Sequence, residues 1–244
     1  MGIDYHLFSN IGSREVNEDS VRAASKDDAY CFILCDGLGG HSKGELASAF
    51  VADYVIQLFL QSQNLDAFMA EALVKAQGAL LEEQKRYNAQ LSMKTTATLL
   101  LIDGESYHYA YIGDSRIYTF RKNKLLERTL DHSVPQMLAI AGDIKEKQIR
   151  KHPDRNRLLR VMGVEWDGIR CEISDTCELK AGDAFLLCSD GFWELVEDKQ
   201  MIKTLKHADT AETWITKMAE IIEKKSAKME MDNFSAIAIK CTSE

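Results

Sequence analysis

Two acidic residues of this sequence stand directly after apolar runs. Asp36 follows residues 29–35, and Asp190 follows residues 184–189. Each precedes a glycine, and Asp–Gly is also an ordinary turn pair, so a turn explains either one alone. Together they predict carboxylates at the ends of buried strands, where a charge must be hydrogen-bonded, paired with a cation or bound to a metal.

Two further aspartates have the same relation to apolar runs. Asp114 lies between residues 107–112 and 116–120, and Asp232 precedes residues 235–239. Few basic residues flank these motifs, and Mg²⁺ and Mn²⁺ prefer oxygen ligands. The pattern predicts a carboxylate-only metal site, to which Gly37 can bring its backbone carbonyl. The sequence has no HxxxH or CxxC spacing that would indicate zinc.

A site of this kind suits hydrolysis at phosphorus. Two metal ions bridged by a shared carboxylate lower the pKa of a bridging water and hold phosphoryl oxygens for in-line attack. An arginine is the remaining requirement, because its planar fork binds two phosphate oxygens. Arg14, close to Glu18 and Asp19, is the candidate, and a surface salt bridge is its alternative role.

These residues need a scaffold of strands and helices. Apolar periodicity predicts helices over residues 44–60, 66–88 and 211–225. Apolar runs bounded by turn residues predict strands over residues 29–35, 96–102, 107–112, 116–120, 184–188 and 235–239. Strand pairs such as the one around Gly113 and Asp114 are interpreted as hairpins, which require antiparallel sheets. The sequence therefore predicts an α+β fold of antiparallel sheets covered by helices.

Composition limits the class of protein. The 244 residues include 30 Lys and Arg against 38 Asp and Glu, a formal charge of −8, and 45% are hydrophobic. This predicts one domain over residues 1–244 and excludes collagen-like and largely disordered chains. The acidic balance argues against binding to nucleic acid or an anionic membrane. The sequence shows no signal peptide or apolar spanning run, so we expect a soluble cytoplasmic protein with six reduced cysteines.

One segment of this acidic chain is basic. Residues 142–160 carry seven cations against three acids, and the cations are Lys145, Lys147, Arg150, Lys151, Arg155, Arg157 and Arg160. The segment is either a solvated helical face or an excursion near the active site that meets an anionic substrate.

The motifs, taken in order, resemble those of the bacterial metal-dependent Ser/Thr protein phosphatases of type 2C, the PPM family. They cover nearly the whole chain, at residues 12–19, 36–48, 95–96, 113–118, 131–133, 187–194 and 232–233. The resemblance implies a four-layer α-β-β-α sandwich of two antiparallel sheets flanked by helices. It also implies that the metals lie at one end between the sheets, and that residues 131–163 form a variable flap beside the cleft.

The resemblance assigns a role to each motif residue. Asp36 is expected to bridge two metals, Asp190 and Asp232 to ligate one, and Gly37 to offer its carbonyl to the other. Asp114, with Asp190, matches a weaker third metal position. Three residues complete the expected set, with Glu18 and Asp19 acting through metal-bound water and Arg14 binding the substrate phosphate.

The chain departs from many eukaryotic relatives at two positions. Leu38 stands where they carry a histidine proposed as general acid, so that role is unassigned here, with His41 as one replacement and a metal-bound water as another. Lys94 stands where relatives usually have glycine, and it is expected to alter only a strand start or the rim of the site.

The implied activity is hydrolysis of phosphoserine and phosphothreonine in proteins. The nucleophile would be a hydroxide bridging two Mn²⁺ or Mg²⁺ ions, with a third ion bound more weakly. The expected partners are phosphoproteins and a Ser/Thr kinase that the enzyme opposes, and the expected state is a monomer. Two alternatives stay open, a catalytically inactive scaffold and a phosphohydrolase of small molecules. No cysteine has an arginine six positions downstream, which disfavours cysteine phosphatase chemistry.

Overall fold

Residues 1–38, 43–227 and 230–242 are described by the computed structural model. The strands in these ranges are β1 (Gly2–Asn10), β2 (Asp19–Lys26), β3 (Ala29–Leu38), β4 (Lys94–Thr95), β5 (Ala97–Asp103), β6 (Ser106–Ile112), β7 (Arg116–Arg121), β8 (Lys124–Arg128), β9 (Glu172–Ile173), β10 (Cys177–Glu178), β11 (Asp183–Cys188) and β12 (Phe234–Thr242). The helices are α1 (Gly44–Gln61), α2 (Leu65–Arg86), α3 (Val134–Ala141), α4 (Asp190–Trp193), α5 (Asp198–Lys206) and α6 (Ala211–Ser226), and Glu146–Lys151 is a 3₁₀ helix.

The described strands form two sheets in which all neighbours are antiparallel. One sheet has the order β1-β12-β11-β7-β8, and the other follows β10-β6-β5-β3-β2 with β4 and β9 at its margins. Helices α1 and α2 pack on the second sheet, and α6 packs on the first. The predicted α+β sandwich with four layers is confirmed, as are the three predicted helices.

Two-sided burial explains why the central strands are continuous apolar runs. Along β3, Cys31 and Ile33 pack into the core under α1 and α2. Phe32 and Leu34 point the other way, into the core between the sheets. Since successive side chains of a strand face opposite ways, a strand buried on both faces is apolar at every position.

The predicted hairpin at Gly113 and Asp114 is wrong. Strand β6 pairs with β5 in one sheet, whereas β7 pairs with β8 and β11 in the other, so the turn carries the chain between sheets. Gly113 has a φ of 111°, and a Cβ there would lie 2.5 Å from Thr96 Cγ2. Tight packing thus requires glycine at this corner. Because the chain crosses between the sheets here, Asp114 lies at the end of the sandwich.

The basic segment is a 3₁₀ helix followed by a loop, and several of its arginines are paired. Arg150 bonds Asp198, Arg155 bonds Glu194 and Arg160 bonds Glu172. Carboxylates outside the segment therefore hold these three side chains, of which Arg155 and Arg160 stay about two-fifths exposed.

Two whole-chain expectations concern membranes and cysteines. No helix in the described part of the chain has both the length and the apolarity needed to cross a membrane. All six cysteines are unpaired. Burial raises the pKa of the Cys31, Cys35 and Cys188 thiols far above the ordinary value, so these thiols are packing residues rather than nucleophiles.

Candidate metal centre

The predicted carboxylates converge at one end of the sandwich. A cleft of about 860 Å³ opens there, and Glu18, Asp190 and Asp232 are among its lining residues. Asp19 begins β2 and is the register partner of Asp36 near the end of β3. Like charges opposite each other destabilise a sheet, so this pairing calls for a cation or a proton.

Asp36 and Asp190 lie close enough for their charges to interact. Burial, followed by the charges of neighbouring aspartates, raises the pKa of Asp36 well above its ordinary value. The same causes, burial first and then Asp232, raise the pKa of Asp190 to about 6. Two carboxyls this close cannot both ionise unless positive charge is supplied between them.

Asp19 is a buried acid with one unpartnered oxygen. Asp19 is 8% exposed. Oδ2 accepts a hydrogen bond from Ser189 Oγ at 2.9 Å, whereas Oδ1 has no partner. Burial raises the pKa of Asp19 to about 7, against the lowering effect of the Ser235 and Ser189 hydrogen bonds. An orphan acceptor of this kind fits a water or cation at the site.

Asp114 occupies the corner between the sheets and is 5% exposed. Its backbone carbonyl accepts a hydrogen bond from Trp193 Nε1 at 2.9 Å. Burial, then the charges of Asp190 and Asp131, raises the pKa of Asp114 well above the ordinary value. Asp114 and Asp190 are thus electrostatic neighbours.

Arg14 is paired with Asp232. Arg14 Nε donates to Asp232 Oδ1 at 3.0 Å and Nη2 donates to Oδ2 at 2.8 Å. The two side chains are 59% and 42% exposed, at the mouth of the cleft. The fork was predicted to bind phosphate, and in this structure it binds a carboxylate of the chain itself.

Glycine is required where the backbone passes Glu18. The Gly37 N–H donates to the Glu18 carbonyl at 3.0 Å. A Cβ on Gly37 would lie 2.4 Å from the Gly44 carbonyl oxygen, and one on Gly44 would lie 2.4 Å from Glu18 Oε1. Burial, followed by the charge of Glu45, raises the pKa of the Glu18 carboxyl. The first turn of α1 is thereby held against the start of β2 and the end of β3.

The donor set fits a hard divalent cation. Within residues 1–38, 43–227 and 230–242, no three His, Cys, Asp or Glu side chains stand as a ready-made ligand group. Arg14 donates to both carboxylate oxygens of Asp232. The remaining features fit a cation: oxygen donors, mutual repulsion between the Asp36 and Asp190 carboxyls, and an unpartnered oxygen on Asp19. To bind the metal, Asp232 would release Arg14.

Glu194 is a cleft residue to which the sequence reasoning gave no role. It lies four positions after Asp190, one helical turn away, and Glu194 Oε1 is 2.9 Å from Arg155 Nε of the flap. Burial and the Asp190 charge raise the pKa of Glu194 to about 7. The spacing of four positions between Asp190 and Glu194 is the feature of the sequence that could have predicted this, because such residues are neighbours on a helix.

The structure describes both positions at which the chain departs from its relatives, Leu38 and Lys94. Leu38 ends β3 and pairs with Lys94 of β4, so Lys94 is a strand residue at the margin of the sheet, where the sequence had predicted a strand start or the rim of the site. His41 lies outside the described residues.

Known proteins resemble this chain in sequence over most of its length. A family model described as Protein phosphatase 2C matches residues 8–234, and the chain belongs to that family. It is 33% identical over 203 residues to the serine/threonine protein phosphatase PstP of Mycobacterium tuberculosis, covering 82% of this chain but 38% of PstP. It is 27% identical over 216 residues to the serine/threonine phosphatase stp of Listeria monocytogenes, covering 84% of each chain.

Solved structures show the same fold. The catalytic domain of PstP in complex with two manganese ions matches with a TM-score of 0.84 and 26% identity, over 99% of both chains. The Staphylococcus aureus serine/threonine phosphatase Stp1 matches with a TM-score of 0.88 and 25% identity, over 100% of this chain and 96% of that one.

Proposed function

We propose that this chain is a divalent-metal-dependent protein phosphatase that hydrolyses phosphoserine and phosphothreonine in proteins. The observation that carries the proposal is the set of mutually repelling carboxylates around Asp36. The bidentate Arg14 lies beside them, at the mouth of the cleft. The bacterial relatives named as serine/threonine phosphatases, and the manganese complex of one of them, support it.

Asp36, Asp190 and Asp232 would hold the metal, with the Gly37 carbonyl beside them. When bound, divalent cations lower the pKa of water and neutralise charge on phosphoryl oxygens. Two ions bound tightly and a third near Asp114 form the proposed set, and Mn²⁺ or Mg²⁺ suits an all-oxygen site.

The other residues bind and orient. The Arg14 fork would bind two phosphate oxygens once Asp232 turns to the metal. Glu18 and Asp19 would accept hydrogen bonds from water in the site, and the Asp19 Oδ1 orphan is free to do so. Gly44 leaves room for the Glu18 carboxylate, and Gly37 leaves room for the backbone carbonyls of Gly44 and Glu18.

Membership of the Protein phosphatase 2C family supports further proposals about the domain, its location and its partners. We propose one phosphatase domain over residues 1–244 with a flap at 131–163, a cytoplasmic location, and a monomeric state. The proposed partners are phosphoproteins and the Ser/Thr kinase that phosphorylates them.

Metal restoration tests the function. Metal-stripped protein should hydrolyse a phosphothreonine peptide only after Mn²⁺ or Mg²⁺ is added, and Asp36→Asn should lower turnover at least about a thousandfold, as loss of a central metal ligand does. Asp53→Asn is the matched control, since Asp53 is an exposed aspartate paired with Arg22. Full turnover without divalent metal would refute the mechanism. Faster hydrolysis of a nucleoside phosphate than of the phosphopeptide would favour the small-molecule alternative.

A further inference from the structure

Trp193 joins the segments that carry two of the site carboxylates. It ends α4, whose first residue is Asp190, and it is 2% exposed. Its indole N–H donates to the Asp114 carbonyl at 2.9 Å, although the two residues are 79 positions apart. One side chain therefore fixes the backbone of Asp114 relative to the helix that begins at Asp190.

The ring of Trp193 also packs against two arginines. The guanidinium carbon of Arg116 in β7 lies 3.4 Å from the ring centroid, and that of Arg150 lies 5.4 Å from it. Both distances are within the range of cation–π attraction. Arg150 belongs to the 3₁₀ helix of the flap, so the indole contacts the flap directly.

Arg116 connects the same ring to the start of the flap. Its Nε and Nη2 donate to the two carboxylate oxygens of Asp131 at 2.7 and 2.6 Å, and both side chains are almost fully buried. Asp131 is the first flap residue. A buried bidentate pair is held in one geometry, because breaking it leaves an unpaired buried charge.

We propose that Trp193 is a positioning residue that sets Asp114, Asp190 and the flap in one arrangement. The consequence for catalysis rests on the proposed phosphatase function. The two carboxylates assigned to the weaker metal position and the segment beside the cleft are held by one indole. A change at the flap is therefore transmitted to that metal position.

A conservative substitution separates this role from packing. Trp193→Phe keeps an aromatic ring and removes the N–H donor to Asp114. In a titration that follows free Mn²⁺ by electron paramagnetic resonance, the weakest Mn²⁺ binding event should weaken about tenfold, the effect of one lost buried hydrogen bond. Turnover of the phosphopeptide should recover at higher Mn²⁺, which a general packing defect would not allow.

Trp214→Phe is the matched control. Trp214 is also fully buried, and its Nε1 donates to the Met201 carbonyl at 3.1 Å, away from the cleft. This variant loses the same kind of bond, and its Mn²⁺ affinity should stay within about twofold of the parent. Equal Mn²⁺ isotherms for the two variants would overturn the proposal.

Hydrogen exchange of the metal-stripped protein tests the link to the flap. Trp193→Phe should speed exchange both at residues 113–115 and across the flap. Arg150→Gln removes the flap cation from the Trp193 ring, together with its bonds to Asp198 and the Val196 carbonyl, and should do the same to a smaller extent. Arg160→Gln, whose partner is Glu172, should affect the flap alone. A change confined to α4 in Trp193→Phe, or none at residues 113–115 in Arg150→Gln, would overturn the proposal.

These measurements are independent of the activity. A parent protein without phosphatase turnover would refute the proposed function, while Mn²⁺ binding and hydrogen exchange would still decide the positioning role. If Trp193→Phe does not fold, the pair Arg150→Gln and Arg160→Gln gives the same decision.

Discussion

At the scale of single residues, Arg14 combines two features that suit phosphate binding. Its guanidinium is more than half exposed, and its fork already holds a planar anion, Asp232. The partner is 218 positions away in the chain, so no local pattern could have predicted it.

Arg14→Ala should raise the KM for a phosphothreonine peptide about tenfold with a smaller change in kcat, because a charge-assisted phosphate contact of roughly 1.4 kcal/mol or more is lost. Steady-state kinetics at saturating Mn²⁺ measures this. Arg22→Ala removes an exposed arginine of a similar pair with Asp53 and should leave the KM unchanged. An unchanged KM in Arg14→Ala would transfer phosphate binding to another residue.

Glu194 gives a prediction for pH dependence. Burial raises its pKa from 4.5 to about 7, so the folded protein binds this proton more tightly than the unfolded chain does. The contribution of Glu194 to stability therefore falls as the pH rises from about 4.5 to 7, and is constant above that.

Glu194→Gln cannot ionise, so its stability relative to the parent should rise by about 2–3 kcal/mol across that window. Denaturant unfolding of the metal-stripped proteins at pH 5, 6, 7 and 8 measures the difference. Glu220→Gln, at an exposed acid on α6, should show a flat difference. The predicted pKa would be contradicted by a difference that is also flat for Glu194→Gln.

At the scale of elements, two glycines show which backbone positions the site requires. Gly37 lies at the end of β3, against the first turn of α1 and the Glu18 carbonyl. Gly78 lies on the exposed face of α2, and nothing stands within 4 Å of where its Cβ would be. Identical substitutions at the two positions should therefore have opposite effects.

Gly37→Ala should lower the free energy of unfolding by about 1–3 kcal/mol, because the added methyl group meets backbone atoms that cannot move away. Gly78→Ala should raise it by about 0.5–1 kcal/mol through helix propensity. Denaturant titration of metal-stripped protein measures both. Two changes of the same sign would show that the close contact at Gly37 relaxes freely.

At the scale of the whole molecule, much of the net charge of −8 comes from one region. Six of the 38 acids, Glu18, Asp19, Asp36, Asp114, Asp190 and Asp232, belong to one end of the sandwich. The burial of Asp19, Asp36, Asp114 and Asp190 and the repulsion among these carboxylates oppose folding, so a cation that binds the folded state should stabilise the whole domain.

Mn²⁺ at a hundredfold excess over its Kd should stabilise the protein by about 2.7 kcal/mol, a Tm increase of roughly 5–10 °C for a domain of this size. Thermal unfolding of metal-stripped protein with and without Mn²⁺ measures this, with NaCl at matched ionic strength as the control. Asp36→Asn should lose the increase. An equal increase in that variant would place the stabilising ion elsewhere.

The sequence by itself determined the fold class, the helices α1, α2 and α6, and the aspartates that stand at strand ends. It did so because apolar periodicity and turn residues are local properties that follow from what each face of an element buries. Seven ordered motifs also predicted the family, which the match over residues 8–234 confirmed.

Only the tertiary structure decided which segments meet. The turn at Gly113 is a corner between sheets, Arg14 binds Asp232, and Trp193 binds the Asp114 carbonyl. An Asp–Ser turn between two apolar runs has the same local pattern in a hairpin and in a corner. The choice between them is made by strands paired far along the chain, whose burial outweighs any local preference.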